Sequence, residues 1–175
     1  MTAIALDPVR HERLLQDIDH VQTVANIPMD YLRTSMVGRC STGEVDWVRN
    51  FHKNRVHGAG LVLHQTVDAE SHCLSICGAL VRNFVDARVV PLNTLLDSMK
   101  GDEILSPTVV IIPNFYQKSL GKTLPAWKVS ALYDALLSRF TANKPTVVAV
   151  EDFDSMKLSY GSSLVEHLRT HYRVV

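Results

Sequence analysis

The chain has 175 residues, with 18 basic and 18 acidic side chains, so its formal net charge at pH 7 is zero. A chain of this length forms one domain that buries about 70% of its unfolded surface, and it needs no disulfide or metal to fold. Zero net charge argues against a protein that coats nucleic acid. Three cysteines and no charged, apolar leader predict a reduced, cytosolic protein, and no apolar run is long enough to cross a bilayer.

Segments with helical and with strand spacing alternate along the chain. In chain order we predict helices over residues 8–25, 41–51, 73–84, 93–99, 125–140 and from 163 onward, and strands over 60–64, 87–90, 108–112, 146–150 and 172–175. Asp7-Pro8 and a capping box from Ser41 to Glu44 mark two helix starts. This alternation is typical of an α/β domain with a parallel sheet. We assign residues 1–26 to an amphipathic N-terminal extension and 27–175 to one domain.

The segment that joins the first strand to the next helix has the position of a phosphate-binding loop but not its chemistry. Such a loop needs glycines at its first and sixth positions, followed by a lysine for the phosphates and a Ser or Thr for Mg²⁺. These positions hold Gln65, Glu70, Ser71 and His72. Asp68 and Glu70 add negative charge at a helix N-terminus where phosphate would bind. We therefore predict a nucleotide-binding frame that binds no triphosphate, with the side chains of Gln65, Glu70 and His72 filling the vacant space.

A second glycine-lysine sequence, Gly121-Lys122-Thr123, follows the third strand rather than the first. Because a phosphate loop requires the strand-to-helix context, we interpret this segment as an ordinary loop before the helix over 125–140. Lys118 and Lys122 remain candidates for contact with a nucleic-acid backbone.

Side chains of the kinds that ligate zinc occur close together in the sequence: His57, His64, His72, Cys73 and Cys77. Cys73 and Cys77 also have the spacing of a buried helix face, and no Cys-x-x-Cys pair is present. We therefore predict no metal site and no bound cofactor.

The carboxylates Glu151, Asp152 and Asp154 follow a parallel strand at the end where α/β sheets place their ligands. A solvated acidic loop is the favoured interpretation, and a catalytic pair is the alternative. No Gly-x-Ser-x-Gly sequence supports a serine hydrolase.

Several stretches of the chain are similar to one known family: residues 27–31 (Ile-Pro-Met-Asp-Tyr), 58–64, 89–97, 132–140 with 144–148, 160–165 and 172–175. The most specific is the helix that ends in Arg139-Phe140 and the strand that begins after Lys144-Pro145-Thr146. These stretches resemble the AAA+ domain of DnaC/IstB-type helicase loaders and, more distantly, DnaA-type initiators. The resemblance implies a P-loop-like sheet of five parallel strands in the order 5-1-4-3-2, with helices on both faces.

The chain departs from that family at its catalytic positions. Where the family has two acids after the Walker B strand, this chain has Pro113 and Asn114, so Mg²⁺ and the attacking water lose their partners. Glu151 replaces the polar sensor residue, and Glu166-His167 occupies the arginine-finger position. We predict that the chain is not an ATPase.

The resemblance implies a non-hydrolysing accessory protein of DNA replication that binds a replicative helicase. Its reduced and degenerate form would fit a phage or mobile-element genome. Single-stranded DNA is a weaker candidate partner. One alternative is a regulatory subunit that docks on an active AAA+ ATPase; another is an unorthodox nucleotide-binding enzyme. Along the helix over 8–25, Leu14, Ile18 and Val21 either pack onto the domain or contact a partner in a helix-in-groove manner.

Overall fold

A parallel β-sheet with helices on both faces forms the centre of the protein, for which a computed structural model describes residues 5–97, 106–120 and 124–175. The strands are β1 (Gly60–His64), β2 (Ala87–Val89), β3 (Val109–Tyr116), β4 (Thr146–Val150) and β5 (Tyr172–Val174). The first helices are α1 (Glu12–Gln16), α2 (Ile18–Ala25), α3 (Met29–Arg33), α4 (Thr42–Arg49) and α5 (Phe51–Val56). They are followed by α6 (Ala69–Arg82), α7 (Leu92–Asp97), α8 (Ala126–Thr141), α9 (Phe153–Tyr160) and α10 (Ser162–His171).

The five strands lie in the order β2-β3-β4-β1-β5, and all their pairings are parallel. Read from the opposite edge, this is the predicted order 5-1-4-3-2, so the fold class is confirmed. Strand β1 lies between β4 and β5, pairing with β4 from Leu61 and Val147 onward and with β5 on its other side. The carboxyl ends of β1, β3 and β4 therefore meet at one edge of the sheet.

Strand residues alternate between two apolar cores, as side chains of a strand buried on both faces must. On one face, Leu61, Ile111 and Val147 pack with α6, α3 and the N-terminal helices. On the other face, Val62, Val110 and Val148 pack with α8, α9 and α10. We call these the α6 face and the α8 face.

The helix predicted over 8–25 is two helices in the structure. Asp7 Oδ1 accepts hydrogen bonds from the N–H groups of Val9 and Arg10, but these residues form a turn, and α1 begins only at Glu12 with His11 as its N-cap. At Asp17 the backbone leaves helical geometry, with φ −117° and ψ 28°, and α2 starts after it. In a helix interior the aspartate side chain competes for the backbone hydrogen bonds, so aspartate favours helix ends, in agreement with the break here.

Other helix and strand bounds also differ from the prediction. Helix α6 begins at Ala69 rather than at residue 73, so the loop after β1 is shorter. Strand β3 continues past Pro113 to Tyr116, with a shift of register between Ile112 and Tyr116. Proline has no N–H for the ladder, which accounts for the irregularity. The predicted helix end at residue 99 lies outside the described residues.

The N-terminal helices share the core of the domain. Leu14 is 5% exposed and belongs to the α6-face core, and Ile18 and Val21 pack against it. Among the described residues, no helix combines the length and the apolar character needed to cross a membrane.

Candidate functional site

A cleft of about 520 Å³ opens at the carboxyl edge of the sheet, between the turn after β1 and the ends of β3 and β4. Five of the residues predicted to replace nucleotide-binding side chains line it: Gln65, Asp68, Glu70, Pro113 and Glu151. Parallel α/β sheets place their ligands at this edge, so the cleft has the position of a ligand site.

The turn before α6 retains backbone geometry that glycine usually supplies. Gln65 has φ 53° and Asp68 has φ 55°, both in the left-handed region. This conformation is uncommon for residues other than glycine, and it occurs where a ligand loop must turn sharply. The N–H of Gln65 donates to the carbonyl of Val150 on β4 at 3.1 Å and fixes the start of the turn. The turn thus reverses sharply after β1 without a glycine at Gln65 or Asp68.

The charge around the cleft is negative. Asp68, Glu70 and Glu151 line it, and none of the described residues that line it is basic. Lys118 lies nearby, but its backbone N–H donates to Glu151 Oε2 at 2.7 Å and its ammonium lies 3.8 Å from Asp152 Oδ2. Lys122 lies outside the described residues. Carboxylates at the N-terminus of α6 supply the negative charge that a helix dipole favours there and that a phosphate would otherwise bring.

The three acids after β4 have separate roles. Glu151 holds the N–H of Lys118, whereas Asp152 caps α9 by accepting from the N–H of Asp154 and, at 2.6 Å, from the hydroxyl of Ser155. The bond from the Ser155 hydroxyl, then that from the Asp154 N–H, lowers the pKa of Asp152. Asp154 is exposed and lies 4.0 Å from Arg169. Of the three, only Glu151 faces the cleft, so they do not form a catalytic pair there.

The Walker B position carries no carboxylate, and the side-chain amide of Asn114 is hydrogen-bonded outside the cleft. Pro113 lines the cleft with an apolar ring. The Oδ1 atom of Asn114 accepts a hydrogen bond of 2.9 Å from the N–H of Leu92, at the start of α7. Asn114 therefore holds the junction between β2 and α7 and is absent from the residues that line the cleft.

Ser71 and His72 do not face the cleft either. The hydroxyl of Tyr31 donates to Ser71 Oγ at 3.2 Å, and His72 Nδ1 lies 2.9 Å from Glu44 Oε2. The expectation that His72 helps to fill the vacant nucleotide space is therefore wrong, because a buried carboxylate on α4 draws its ring away from the cleft. With Gln65 and Glu70 at its walls, the cleft stays open rather than filled.

The two residues at the arginine-finger position on α10 differ in burial. Glu166 is exposed, whereas His167 is 5% exposed among the rings of Tyr133, Phe140 and Tyr172. Burial, then the neighbouring His171, lowers the pKa of His167. Neither side chain can deliver a positive charge to a neighbouring subunit at neutral pH.

The N-terminal residues predicted as partner contacts lie beside an apolar groove. Leu14 and Val21 line a groove of about 640 Å³ together with Val81 and Phe84 of the α6 region. Phe84 is 61% exposed, whereas Leu14 is a core residue. Ile18 packs against the core beside them.

A polar cluster on the α6 face was missed at the sequence level. Cys40, Glu44 and His72 each place one potential ligand atom within 4.8 Å of the others. Cys73 and Cys77, which we had considered instead, are fully buried core residues. The spacing of Cys40 and Glu44 was visible, but only the packing of α4 on α6 brings His72 beside them.

Comparisons with known proteins show the fold and nothing finer. Neither a family model nor a curated protein matches the sequence. The crystal structure of a DNA replication initiation factor is similar, with a TM-score of 0.58 at 6% identity over 85% of this chain and 50% of that one. The present chain thus spans half the length of that protein. The likeness shows that the chain shares the α/β fold of that protein.

Proposed function

We propose that this protein is a non-hydrolysing accessory factor of DNA replication that acts by binding another protein. The observation that carries the proposal is a cleft at the nucleotide position of an AAA+ fold whose lining is acidic where phosphate would bind. The structural likeness to a DNA replication initiation factor supports the replication context. The family resemblance of the sequence supports a replicative helicase as the partner.

The electrostatics of the cleft oppose a triphosphate. A working phosphate loop surrounds the phosphates with N–H groups, a lysine and Mg²⁺. Here Asp68 and Glu70 carry the same sign of charge as the phosphates, and Pro113 offers no ligand for Mg²⁺. Like charges a few ångströms apart repel by about 1 kcal/mol or more even in water. The cleft therefore favours neither the nucleotide nor its metal.

Thermal unfolding in millimolar Mg-ATP tests this part of the proposal. A ligand present at 100 times its Kd stabilises a protein by about 2.7 kcal/mol, which shifts the Tm by several degrees. We expect no shift with Mg-ATP or Mg-ADP relative to MgCl₂ and sodium chloride at matched ionic strength. A reproducible nucleotide-specific rise in Tm would overturn the proposal.

Binding to purified partners tests the other part. We expect the replicative helicase from the same cell to form a complex that survives gel filtration and does not require ATP. Binding only to an active AAA+ ATPase, with a reduced hydrolysis rate, would favour the regulatory subunit instead. Exposed Glu166 at the arginine-finger position favours that alternative, because an acid there cannot complete a neighbour's active site.

The open volume of the cleft favours one further candidate, an unorthodox nucleotide-binding protein. A space of about 520 Å³ is within the size range of small-molecule sites, which is about 300–1,000 Å³. If this candidate is correct, ATP binds tightly and raises the Tm in the thermal-unfolding test above. The Glu151→Ala variant would then lose that stabilisation without losing the helicase.

A further inference from the structure

The polar cluster on the α6 face brings together three side chains of different chemistry. Cys40 precedes α4, Glu44 is in the first turn of α4, and His72 is in the first turn of α6. His72 Nδ1 lies 3.0 Å from Glu44 Oε1 and 2.9 Å from Glu44 Oε2. All three ligand atoms lie within 4.8 Å of one another, which is the only such group of three among the residues described.

Neighbouring backbone groups hold Glu44 in position. Its side chain is 1% exposed, and its Oε2 atom accepts a hydrogen bond of 2.7 Å from the N–H of Ser41. The hydroxyl of Ser41 accepts in return from the N–H of Glu44, completing a capping box. This cap fixes Oε2 and leaves Oε1 directed at the cluster. Outer hydrogen bonds of this kind orient the ligands of metal sites.

A fourth side chain beside the cluster lacks a partner. Ser75, one turn after His72 on α6, is 3% exposed, and its hydroxyl has no hydrogen-bond partner within the described part of the chain. Burial, then Glu44, raises the pKa of the Cys40 thiol to about 12, and the neighbouring Ser75 hydroxyl opposes that rise. A buried hydroxyl without a partner is uncommon and calls for an explanation, such as an ion or water at the site. A thiolate at Cys40 would accept a hydrogen bond from this hydroxyl.

We propose that Cys40 Sγ, Glu44 Oε1 and His72 Nδ1 bind one zinc ion, with water as the fourth ligand. Thiolate, imidazole and carboxylate are the three ligand types that zinc takes in proteins, and hard cations such as Mg²⁺ do not select a thiolate. In a tetrahedral site with bonds of about 2.0–2.3 Å, the ligand atoms lie roughly 3.3–3.8 Å apart. The observed separations, 3.0 Å between His72 Nδ1 and Glu44 Oε1 and at most 4.8 Å within the cluster, bracket this range.

Partial exposure of His72 gives the ion a route from solvent. The imidazole is 18% exposed, and Cys40 is half-buried. On binding, zinc displaces the proton of the Cys40 thiol to solvent, and His72 binds as the neutral imidazole with its proton on Nε2. Oε2 of Glu44 keeps the N–H of Ser41. The ion thus cross-links α4 to the first turn of α6, two residues from Glu70 in the wall of the cleft. In this position the ion has a structural rather than a catalytic role, and its charge neutralises the buried carboxylate of Glu44.

Cobalt substitution tests the site directly. We expect the metal-free protein to bind one Zn²⁺ by calorimetry and one Co²⁺ with the intense visible bands of tetrahedral coordination and a thiolate-to-cobalt charge-transfer band. Cys40→Ser should remove the charge-transfer band, and His72→Gln should weaken affinity by more than about 100-fold, beyond the cost of losing an outer-shell partner. Ser75→Ala should weaken affinity about 10-fold, the lower end for such partners.

Matched controls separate this site from adventitious binding. Cys77→Ser removes a thiol that contacts the carbonyls of Ala25 and Ala87 instead, and His57→Gln removes an exposed histidine. Both should bind zinc as the wild type does. A charge-transfer band that persists in Cys40→Ser, or a wild type that binds no zinc after reduction and chelator removal, would overturn the proposal. If Cys40→Ser does not fold, the presence or absence of the wild-type band decides the question.

Discussion

Two buried titratable sites, one on each face of the sheet, are accommodated in opposite ways. On the α6 face, the carboxylate of Glu44 is buried together with His72 and the N–H of Ser41, so each of its oxygens has a partner. On the α8 face, His167 is buried among aromatic rings, and its Nε2 atom has no hydrogen-bond partner in the described structure. The first arrangement gives each polar atom a partner, whereas burial in the second lowers the pKa of the His167 imidazole. Only the paired arrangement leaves ligand atoms directed at a common point.

Removing the paired carboxylate should give the largest effect on stability. We expect Glu44→Ala to lower the free energy of unfolding by about 2–4 kcal/mol, because it removes a helix cap and leaves His72 without its partner. Glu44→Gln keeps hydrogen-bonding capacity at both places and should lose less than half as much. Urea unfolding of metal-free protein measures both. Equal losses in the two variants would mean that shape rather than pairing matters at Glu44.

The N-terminal helices should prove to be part of the α6 face. Leu14 is 5% exposed and Leu15, its neighbour on the same helix, is 36% exposed. We expect Leu14→Ala to cost about 2 kcal/mol of unfolding free energy, the lower end for buried leucines, since a short helix can partly close the gap. Leu15→Ala, the matched control, should change stability by no more than about 0.5 kcal/mol. If Leu14→Ala unfolds like the wild type but no longer binds the helicase proposed as the partner, Leu14 is a partner contact rather than a core residue.

Most of the fold could be predicted because the sequence patterns that specify helices and strands are local. Apolar strands such as Thr146–Val150 and caps such as Ser41 are visible in short windows, and the family resemblance then supplied the strand order. The predicted helix bounds were wrong where a single residue interrupts the apolar periodicity, as Asp17 does in the helix predicted over 8–25.

The site was only partly predictable. The replacement of glycine by Gln65 and Glu70 could be seen in the sequence, and both residues do line the cleft. The orientation of the His72 ring could not be predicted, because it depends on the carboxylate of Glu44, 28 residues earlier in the chain. Contacts between distant segments of this kind have no local pattern.

The unpaired histidine on the α8 face should produce a pH dependence. Its pKa is lowered by burial and by His171, so below about pH 6.5 the unfolded chain takes up a proton that the folded protein resists. Folded-state stability should therefore fall as the pH drops through this range. Each unit by which the pKa is lowered contributes about 1.4 kcal/mol.

Urea unfolding of His167→Leu between pH 5 and pH 7 measures that contribution. We expect a smaller change with pH than in the wild type, whereas His57→Leu, at an exposed histidine, should keep the wild-type slope. If His167→Leu and wild type lose stability in parallel, the proton is taken up elsewhere.

The smallest effect should come from the exposed acids of the cleft, which have no buried partner to lose. Glu70 lies in the first turn of α6, and Asp68 precedes the helix. Because carboxylates near a helix N-terminus contribute about 0.3–1 kcal/mol at low ionic strength, we expect the double variant Asp68→Asn/Glu70→Gln to lose about 1 kcal/mol, and less in high salt. The same variant should be stabilised by inorganic pyrophosphate more than the wild type is, because the anion then supplies the missing charge. Thermal unfolding with pyrophosphate, against sulfate at equal ionic strength, measures this. Equal responses of variant and wild type would show that the turn lacks N–H groups able to bind phosphate, so that its geometry, and not only its charge, excludes a nucleotide.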